Sequence, residues 1–372
     1  MKKYSRRMLK IALGVVLAYL IILIGGFFGI KNGLTNTAGI VDDKSNVYEE
    51  INQENPVQNE FSADVSSEKT DQEKKQLLCQ IAVVGEVAPV NAEHIAQTYV
   101  KTNSTGLVRK MLLAVQLRLA NNQAFVEKMR QCEKEEKNIN LDSLVERYRD
   151  SVGNNAFPWM NDEQWQAISV ATSKDKEVIN RVAAETQLPP RLIVSNLIVE
   201  QLRLFHSQRE LFKKVFEPLK ILGNATKISL GVMGVKETTA IAIEEHLHDP
   251  DSEYYLGQVW ENKLAFSTAN PTQERFERLT NDKDHYYSYL YAAMYLKEMM
   301  AQWERAGYDI KYRPEIIGTL FNVGFPQSKP KAEPKVGGSE ITIGEAKYSF
   351  GSLAYEFYYS GEMEDVFPYI VN

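Results

Sequence analysis

Residues 188–204 read LPPRLIVSNLIVEQLRL and predict one long helix, which is the strongest structural signal in the chain. Pro190 suits the first turn of a helix, because the N–H that proline lacks would have no intrahelical partner there. Leu197, Glu200 and Leu204 are spaced at i, i+3 and i+7, so they lie on one face of this helix. A carboxylate therefore interrupts an otherwise apolar stripe.

The presence of a glutamate at position 200 has two possible explanations. Burial of a carboxylate costs several kcal/mol unless the group is paired or protonated. The first explanation is a partly exposed Glu200 that pairs with Arg203 at i+3. The second is a functional carboxyl group in an apolar site. In the second case we expect Glu200→Gln to leave the fold unharmed or to improve it, because an amide costs less to bury than a carboxylate.

The sequence on both sides of this helix also carries helical signals. Asp162 can cap the helix that follows it, and residues 174–187 predict another helix. Nearer the N-terminus, residues 107–119 are amphipathic, and Asn91 can cap a short helix. We therefore predict a mainly α body for this chain.

The N-terminus has the pattern of a membrane anchor. Residues 11–30 are uncharged and read IALGVVLAYLIILIGGFFGI, a helix of roughly 30 Å, which matches the hydrocarbon core of a bilayer. Basic residues precede this stretch without any acidic residue, which predicts a single-pass plasma (inner) membrane protein whose body is extracytoplasmic. The alternative is a cleaved signal peptide, but its apolar region usually has about 7–15 residues and ends in a small-residue cleavage site.

Composition separates the rest of the chain into segments. Residues 31–75 are polar and poor in aromatic side chains, so they predict a flexible linker. Hydrophobic residues make up 44% of the chain, which is enough for a buried core in the remainder. The residues after 328 are rich in aromatic side chains and predict a segment that packs on the body. The predicted segments are an anchor (1–30), a linker (31–75), a helical segment (76–150), a main helical domain (151–327) and a C-terminal packing segment (328–372).

Charge and cysteine content exclude several classes of protein. After residue 30 the chain has 38 basic and 49 acidic side chains, which argues against nucleic acid as a partner. Two cysteines exclude a disulfide-rich or Cys-rich zinc fold, and Cys79 and Cys132 can be either bridged or two buried thiols. His246 and His248 would point to different faces of a helix, so we predict no metal site.

Four motifs follow one another in the second half of the chain: Glu200-Gln201, Ser229 with Gly231-Val232-Met233-Gly234, Tyr295-Leu296 and Leu320-Phe321-Asn322-Val323-Gly324. Their order resembles the catalytic domain of bacterial lytic transglycosylases. In that family a helix ends in Glu-Ser, and a Ser…Gly-Leu-Met-Gln loop, a Tyr-Leu helix and an Ala-Tyr-Asn-x-Gly helix follow. The resemblance covers about residues 178–324 and implies a lysozyme-like fold for the domain at 151–327.

The resemblance also implies a reaction. Glu200 would be the single acid/base, because the 6-hydroxyl of N-acetylmuramic acid attacks its own anomeric carbon and leaves a 1,6-anhydro sugar. Such a lyase needs no metal and no cofactor, and it acts on peptidoglycan glycan strands, alone or with other envelope proteins. The residues that the resemblance places in contact with the glycan are Gln201, Ser229, Gly231, Met233, Tyr295, Phe321 and Asn322.

The chain departs from the family pattern at three motif positions. Gln201 stands where the family has serine, Gly234 where it has glutamine, and Phe321 where it has tyrosine. Two alternatives therefore stay open beside the lytic transglycosylase. One is a hydrolytic muramidase on the same fold, whose products differ by one water. The other is a catalytically inactive glycan-binding scaffold in an envelope assembly.

Overall fold

The structure is a computed structural model that describes residues 39–54, 71–134, 138–206 and 229–369, together with Gly14 as an isolated position. These residues are mainly helical, which confirms the predicted mainly α class, and their short strands form three antiparallel pairs. The predicted anchor at 11–30 lies outside the described residues apart from Gly14. None of the helices in those ranges combines the length and hydropathy of a membrane span.

The elements before residue 150 are short helices and one strand. Several begin at residues suited to helix starts, such as Pro89 in a first turn and Asn140, whose side chain accepts a hydrogen bond from the Ser143 N–H. The elements are β1 (Ile40–Val41), α1 (Ser45–Glu54), α2 (Asp71–Val87), α3 (Pro89–Thr102), α4 (Thr105–Leu119), α5 (Gln123–Lys134) and α6 (Leu141–Tyr148).

Helix α2 lies at the centre of this N-terminal block, because it contacts α3, α4, α5 and α6. Leu77, Ile81 and Val84 on its inner face are buried. A disulfide between Cys79 and Cys132 joins α2 to α5, so of the two alternatives for these cysteines the structure has the bridge.

The remaining elements form the rest of the body. Asp162 caps α7 as predicted, since its side chain accepts a hydrogen bond from the Gln164 N–H at 2.8 Å. The elements are α7 (Glu163–Lys174), α8 (Lys176–Thr186), α9 (Pro190–His206), β2 (Ser229–Leu230), β3 (Val235–Lys236), α10 (Glu237–His248), α11 (Pro271–Thr280), α12 (Tyr286–Arg305), α13 (Pro314–Val323), β4 (Gly337–Gly338), β5 (Glu340–Ile343), β6 (Ala346–Ser349) and α14 (Phe350–Tyr358).

Helix α9 is the core helix of the body. It contacts α7, α8, α12, α13 and α14, and every residue from Pro190 to Glu200 is buried. A helix that is enclosed on all sides needs apolar residues all round, and the run LIVSNLIV meets that need. Glu200 therefore lies at the end of a continuous buried run of α9.

Residues 39–54 differ from the predicted flexible linker, because they are folded against the body. Strand β1 pairs with β4, and the side chain of Tyr48 is only 4% exposed. The Tyr48 ring packs edge-to-face on the ring of Tyr355, with centroids 5.0 Å apart. The prediction was wrong here because the apolar partners of this segment lie about 300 residues away in the sequence. Residues 55–70 lie outside the described part of the chain.

Asn91 also differs from its predicted role. Helix α3 begins at Pro89, so Asn91 lies inside the helix and not at its N-cap. Its buried side-chain oxygen instead accepts a hydrogen bond from the Ala156 N–H at 2.7 Å. A long-range backbone contact thus uses the polar group that the sequence pattern assigned to a local cap.

The C-terminal segment packs back onto the body. Helix α14 contacts α13, α9 and α4, and all nine of its residues are buried. Arg191 on α9 is fully buried and is the main polar link to this segment, because it donates to carbonyl oxygens of Phe357, Tyr358 and Phe367. The aromatic side chains of the segment thus complete the core around α9.

Candidate active site

Glu200 lies near the C-terminal end of α9, with 3% of its surface exposed. Arg203, 7% exposed, donates from Nε to Oε2 at 2.9 Å and from Nη2 to Oε1. The predicted pairing at i+3 is thus present, but the pair is buried and not partly exposed. These two contacts from one guanidinium fix the orientation of the Glu200 side chain.

Gly234 packs directly against this carboxylate. It has a positive φ of +62°, and a Cβ built on it would lie 2.0 Å from Oε1 of Glu200. The backbone reaches this position in the turn between β2 and β3, where the Gly234 N–H donates to the Gly231 carbonyl at 3.2 Å. Position 234 therefore needs glycine for both conformation and space. The family's glutamine would not fit here without moving Glu200.

A cavity of about 170 Å³ lies beside Glu200. This volume is below the range of about 300–1,000 Å³ of sites that enclose whole small ligands, so the cavity suits one part of a larger molecule. Its lining comes from separate parts of the chain: Gly39, Glu200, Arg203, Gly234, Val235, Lys236, Thr239, Tyr295, Phe321, Asn322, Val323, Gly324, Gln327 and Ser339.

Four of the predicted site residues line this cavity, namely Glu200, Tyr295, Phe321 and Asn322. They come from α9, α12 and α13, and α9 lies far from the other two helices in the sequence. The cavity therefore gathers residues from three of the four motifs that the resemblance matches, and Gly234 brings in the fourth.

Gln201 and Met233 lie behind the cavity wall. The Gln201 side chain donates to the Val232 carbonyl at 2.5 Å and so supports the turn that carries Gly234. Met233 is fully buried, and its N–H donates to Oγ of Ser288. These contacts support the turn, and the structure gives Gln201 and Met233 no direct place in the cavity.

Gly231 and Ser229 flank the same turn. A Cβ on Gly231 would lie 2.1 Å from the Leu279 carbonyl, and its φ is +64°, so this glycine permits a close approach to α11. Ser229 is paired in register with Lys236 across β2 and β3. Gly231 does not line the cavity in the described structure.

Asn322 is held by the C-terminal segment. Its Oδ1 accepts hydrogen bonds from the Ser339 N–H at 2.7 Å and from the Ser339 hydroxyl at 3.0 Å. These bonds engage Oδ1 and leave the amide nitrogen as the group that can donate to a ligand. The C-terminal segment thus orients one polar side chain of the cavity and also supplies part of its wall.

Tyr295 forms the aromatic side of the cavity. Its ring centroid lies 4.6 Å from that of Phe325 and 5.4 Å from that of Phe321. Burial raises the pKa of Tyr295 above its usual value, so its hydroxyl stays neutral at physiological pH. Other tyrosines of α12 are core residues: the hydroxyls of Tyr289 and Tyr291 donate to Asp175 and Glu244.

Glu200 is the single carboxylate among the described residues that line the cavity. Glu244 is engaged elsewhere, because Arg275 donates to it from Nε at 2.7 Å and Tyr291 donates at 2.5 Å. His246 contacts Glu298 through Nδ1 at 3.0 Å, and the described residues contain no cluster of three metal-type ligands. Glu200, Arg203 and Lys236 are thus the charged residues among those that line the cavity.

Sequence reasoning missed several residues of the cavity. Lys236 and Thr239 follow the matched turn directly, so their closeness to Gly234 in the sequence was an available signal. Arg203 was identified as a partner of Glu200 but not as part of a site. Gly39 and Ser339 carried no local signal, because β1–β4 pairing alone brings them to the cavity.

Comparisons with protein-family models, with curated proteins and with solved structures gave no match for this chain.

Proposed function

We propose that this chain is a peptidoglycan lytic transglycosylase with a lysozyme-like catalytic domain and that Glu200 is its acid/base. The observation that carries the proposal is the convergence on one cavity of residues from four separate motifs. A buried glutamate at the end of an enclosed helix, a glycine backbone against its carboxylate, and the Tyr295 and Asn322 side chains meet there.

The proposed reaction uses one carboxyl group twice. Glu200 first gives a proton to the leaving glycosidic oxygen as the bond to the anomeric carbon breaks. The carboxylate then takes the proton of the muramyl 6-hydroxyl as this oxygen bonds to the anomeric carbon. The substrate supplies the nucleophile, so the reaction needs neither a second carboxylate nor an activated water. The described residues that line the cavity include one carboxylate, which is consistent with a mechanism that needs only one.

The binding roles follow from the lining. Asn322 would donate from its amide nitrogen to an acetamido oxygen, and Tyr295 and Phe321 would pack against the sugar. Gln201, Gly231 and Met233 would act indirectly, by holding the turn that places Gly234. A volume of about 170 Å³ suits one sugar substituent, with the rest of the glycan outside the cavity.

The proposed location is the outer face of the plasma (inner) membrane, with the apolar stretch 11–30 as the anchor. Its charge pattern supports this topology. The disulfide between Cys79 and Cys132 supports it independently, because disulfides persist mainly in oxidising, extracytoplasmic compartments.

The test is mass spectrometry of the muropeptides released when the purified full-length chain is incubated with peptidoglycan sacculi. We expect 1,6-anhydro products, and Glu200→Gln should lower their rate of release by at least about 10²–10³-fold. Glu245→Gln removes an exposed carboxylate of α10 and should keep the wild-type rate. Circular dichroism should verify that each variant is folded.

Each rival has its own outcome. Products heavier by one water would identify a hydrolytic muramidase. Binding to sacculi without any released product would identify the inactive scaffold, which the buried pair of Glu200 with Arg203 favours. Anhydro products released by Glu200→Gln at the wild-type rate would reject Glu200 as the acid.

A further inference from the structure

A buried acidic side chain outside the cavity takes no part in the proposed reaction. Glu298 on α12 is fully buried, and among the described residues its Oε1 accepts no hydrogen bond. Its Oε2 lies 3.0 Å from Nδ1 of His246 on α10. Burial of a carboxylate with a single neutral partner is costly, so this contact calls for an explanation.

We infer that Glu298 and His246 hold one proton between them at neutral pH, and that this proton keeps the aromatic wall of the cavity beside Glu200 in position. Both are positioning residues, because in the described part of the chain neither lines the cavity itself. The inference goes beyond the proposed function, since it concerns the shape of the cavity and holds for any ligand that binds there.

The groups that face the pair are carboxylates and neutral tyrosines. The carboxylates act on His246 from α10, from the residue after it and from the following loop, and the tyrosines lie beside Glu298. They are Glu245, Asp249, Glu253, Tyr254 and Tyr295. Burial raises the pKa of Tyr254 to about 12 and that of Tyr295 above its usual value, so neither hydroxyl carries charge at neutral pH.

Two lysines lie near the pair, and each has another place. The Lys297 ammonium lies over the Trp260 ring, 4.5 Å from its centroid. Lys329 lines an open hollow at the surface together with Tyr254. His246 is therefore the positive partner that the described contacts give to Glu298.

The pair is electrically neutral only while it keeps its proton. Burial raises the pKa of Glu298 well above its usual value and lowers that of His246. With one proton the pair has no net charge, whether the carboxyl group donates to Nδ1 or the imidazolium donates to the carboxylate. Loss of the proton leaves an uncompensated anion in the interior, which is unfavourable.

Ring contacts connect His246 to the cavity. Its ring stacks on Tyr254 with centroids 4.5 Å apart and meets Phe325 edge-to-face at 4.6 Å. Phe325 in turn packs on Tyr295 at 4.6 Å, and Tyr295 lines the cavity. The Tyr254 hydroxyl also donates to the Phe325 carbonyl at 3.2 Å. Because Phe325 directly follows Gly324, another lining residue, a displaced His246 ring would move the wall through side chain and backbone alike.

Chemical denaturation of the full-length chain at several pH values tests for the shared proton. Above pH 6.5 the unfolded chain holds no proton on either residue, because their usual pKa values are 4.5 and 6.5, whereas the folded pair keeps one. The stability that this proton gives is present below pH 6.5 and is lost as the pH rises to the pKa of the pair. Glu298→Gln has no proton to share. The unfolding constant of the wild type relative to this variant should therefore rise by up to about tenfold per pH unit above 6.5.

Fluorine NMR tests whether the proton positions the wall. In protein labelled with fluorophenylalanine, the Phe325 signal is the one that disappears in Phe325→Leu. We expect it to shift over the pH range in which the wild type loses stability, and to stay in place in Glu298→Gln. The signal of Phe367, which is fully buried in the C-terminal segment, should not move in either protein. A purely structural role for Glu298 would change stability without this pH-dependent shift.

Two further variants keep the test decisive. Glu304→Gln removes an exposed carboxylate from the same helix and should behave as the wild type in both measurements. In His246→Gln the buried Glu298 still holds its proton, but the unfolded chain has lost the histidine. Its loss of stability should therefore begin near pH 4.5 instead of 6.5, which decides the matter if Glu298→Gln does not fold.

Failure of the inference is distinguishable from failure of the proposed function. A ratio of unfolding constants that stays constant above pH 6.5 would show that the folded pair holds no additional proton, and would overturn the inference. A Phe325 signal that stays in place while the pair titrates would overturn the positioning role. Neither measurement depends on cleavage, so a chain that meets both expectations but releases no muropeptide would support the inference and reject the proposed lyase.

Discussion

Glu200 and Arg203 are the residues whose energetics depend most on burial. Their side chains are 4% and 8% exposed, so removal of one partner leaves the other polar group without compensation in the interior. We expect Glu200→Gln to lower the free energy of unfolding by about 2 kcal/mol, since one amide oxygen still accepts a hydrogen bond. Arg203→Gln should cost about 3 kcal/mol. Chemical denaturation measures both, and the double variant should cost less than the sum.

The exposed pair of Arg149 with Glu146 is the matched control. It has the same i, i+3 spacing, but its side chains are 57% and 70% exposed. Arg149→Gln should therefore change the free energy of unfolding by less than about 0.5 kcal/mol. If Glu200→Gln leaves the free energy of unfolding unchanged or raises it, the buried ion pair does not stabilise the fold. The result would then agree with the expectation from the sequence.

Gly234 allows a second prediction for a single residue. In Gly234→Ala the new methyl group would overlap Oε1 of Glu200, and the residue would keep a positive φ. We expect a loss of at least about 2 kcal/mol in the free energy of unfolding, together with loss of glycan cleavage. Gly307→Ala is the control, because Gly307 has a φ of +86° but a methyl group there would meet no atom within 4 Å. Equal stability losses in the two variants would show that contact with Glu200 is unimportant.

At the scale of elements, the disulfide between Cys79 and Cys132 joins α2 to α5 across a separation of 53 residues. In the chain-entropy model, closure of such a loop contributes about 4 kcal/mol. Thiol counting on the denatured, unreduced protein should find no free thiol. A reductant should lower the melting temperature of the wild type but not that of the double variant Cys79→Ser/Cys132→Ser. Two free thiols in the wild type would exclude the bridge.

Arg191 shows how one side chain can hold two elements together. It is fully buried on α9, and its donors reach four carbonyl oxygens and the Tyr369 hydroxyl in the C-terminal segment. In Arg191→Met those acceptors lose their partner, so we expect destabilisation by about 3 kcal/mol or more. Limited proteolysis should then cut the chain after α14 sooner than in the wild type.

Arg191→Lys is the matched variant for that experiment. An ammonium keeps the charge but cannot present a planar fork to acceptors spread over residues 357–369. It should therefore rescue proteolytic resistance only in part. Full resistance in Arg191→Met would show that the aromatic packing of α14 holds the segment without Arg191.

At the scale of the whole molecule, residues 39–54 connect the N-terminal block, the C-terminal segment and the cavity. Gly39 lines the cavity, β1 pairs with β4, and the Lys110 ammonium on α4 donates to the Asn52 side chain at 3.0 Å. Under the proposed anchor at 11–30, residues 31–39 can span at most about 32 Å. The cavity would thus lie closer to the membrane than a 45-residue linker implies.

Tyr48→Ala tests the importance of this segment. Removal of a nearly buried aromatic ring that packs on Tyr355 should cost about 3 kcal/mol in the free energy of unfolding. It should also weaken glycan binding, because the segment that loses its packing contact with Tyr355 also supplies Gly39 to the cavity wall. Ile40→Ala alters an exposed side chain of the same segment and should change stability little. A Tyr48→Ala protein with wild-type stability and glycan binding would show that residues 39–54 neither stabilise the body nor support the cavity.

The sequence by itself determined the features that depend on local periodicity and local chemistry. The Pro190 start and apolar run of α9, the Asp162 cap and the mainly α class all follow from residues within a few turns of one another. The order of the motifs also pointed to Glu200, Tyr295, Phe321 and Asn322, which the structure brings to one cavity.

Only the tertiary structure decided which groups meet across long distances. It buried the pair of Glu200 with Arg203, joined Cys79 to Cys132, and placed Ser339 on Asn322. It also folded residues 39–54, whose polar composition predicts a linker. Periodicity reports which face of an element is buried, but it cannot identify the partner on that face, because the partner is chosen by the packing of the whole chain.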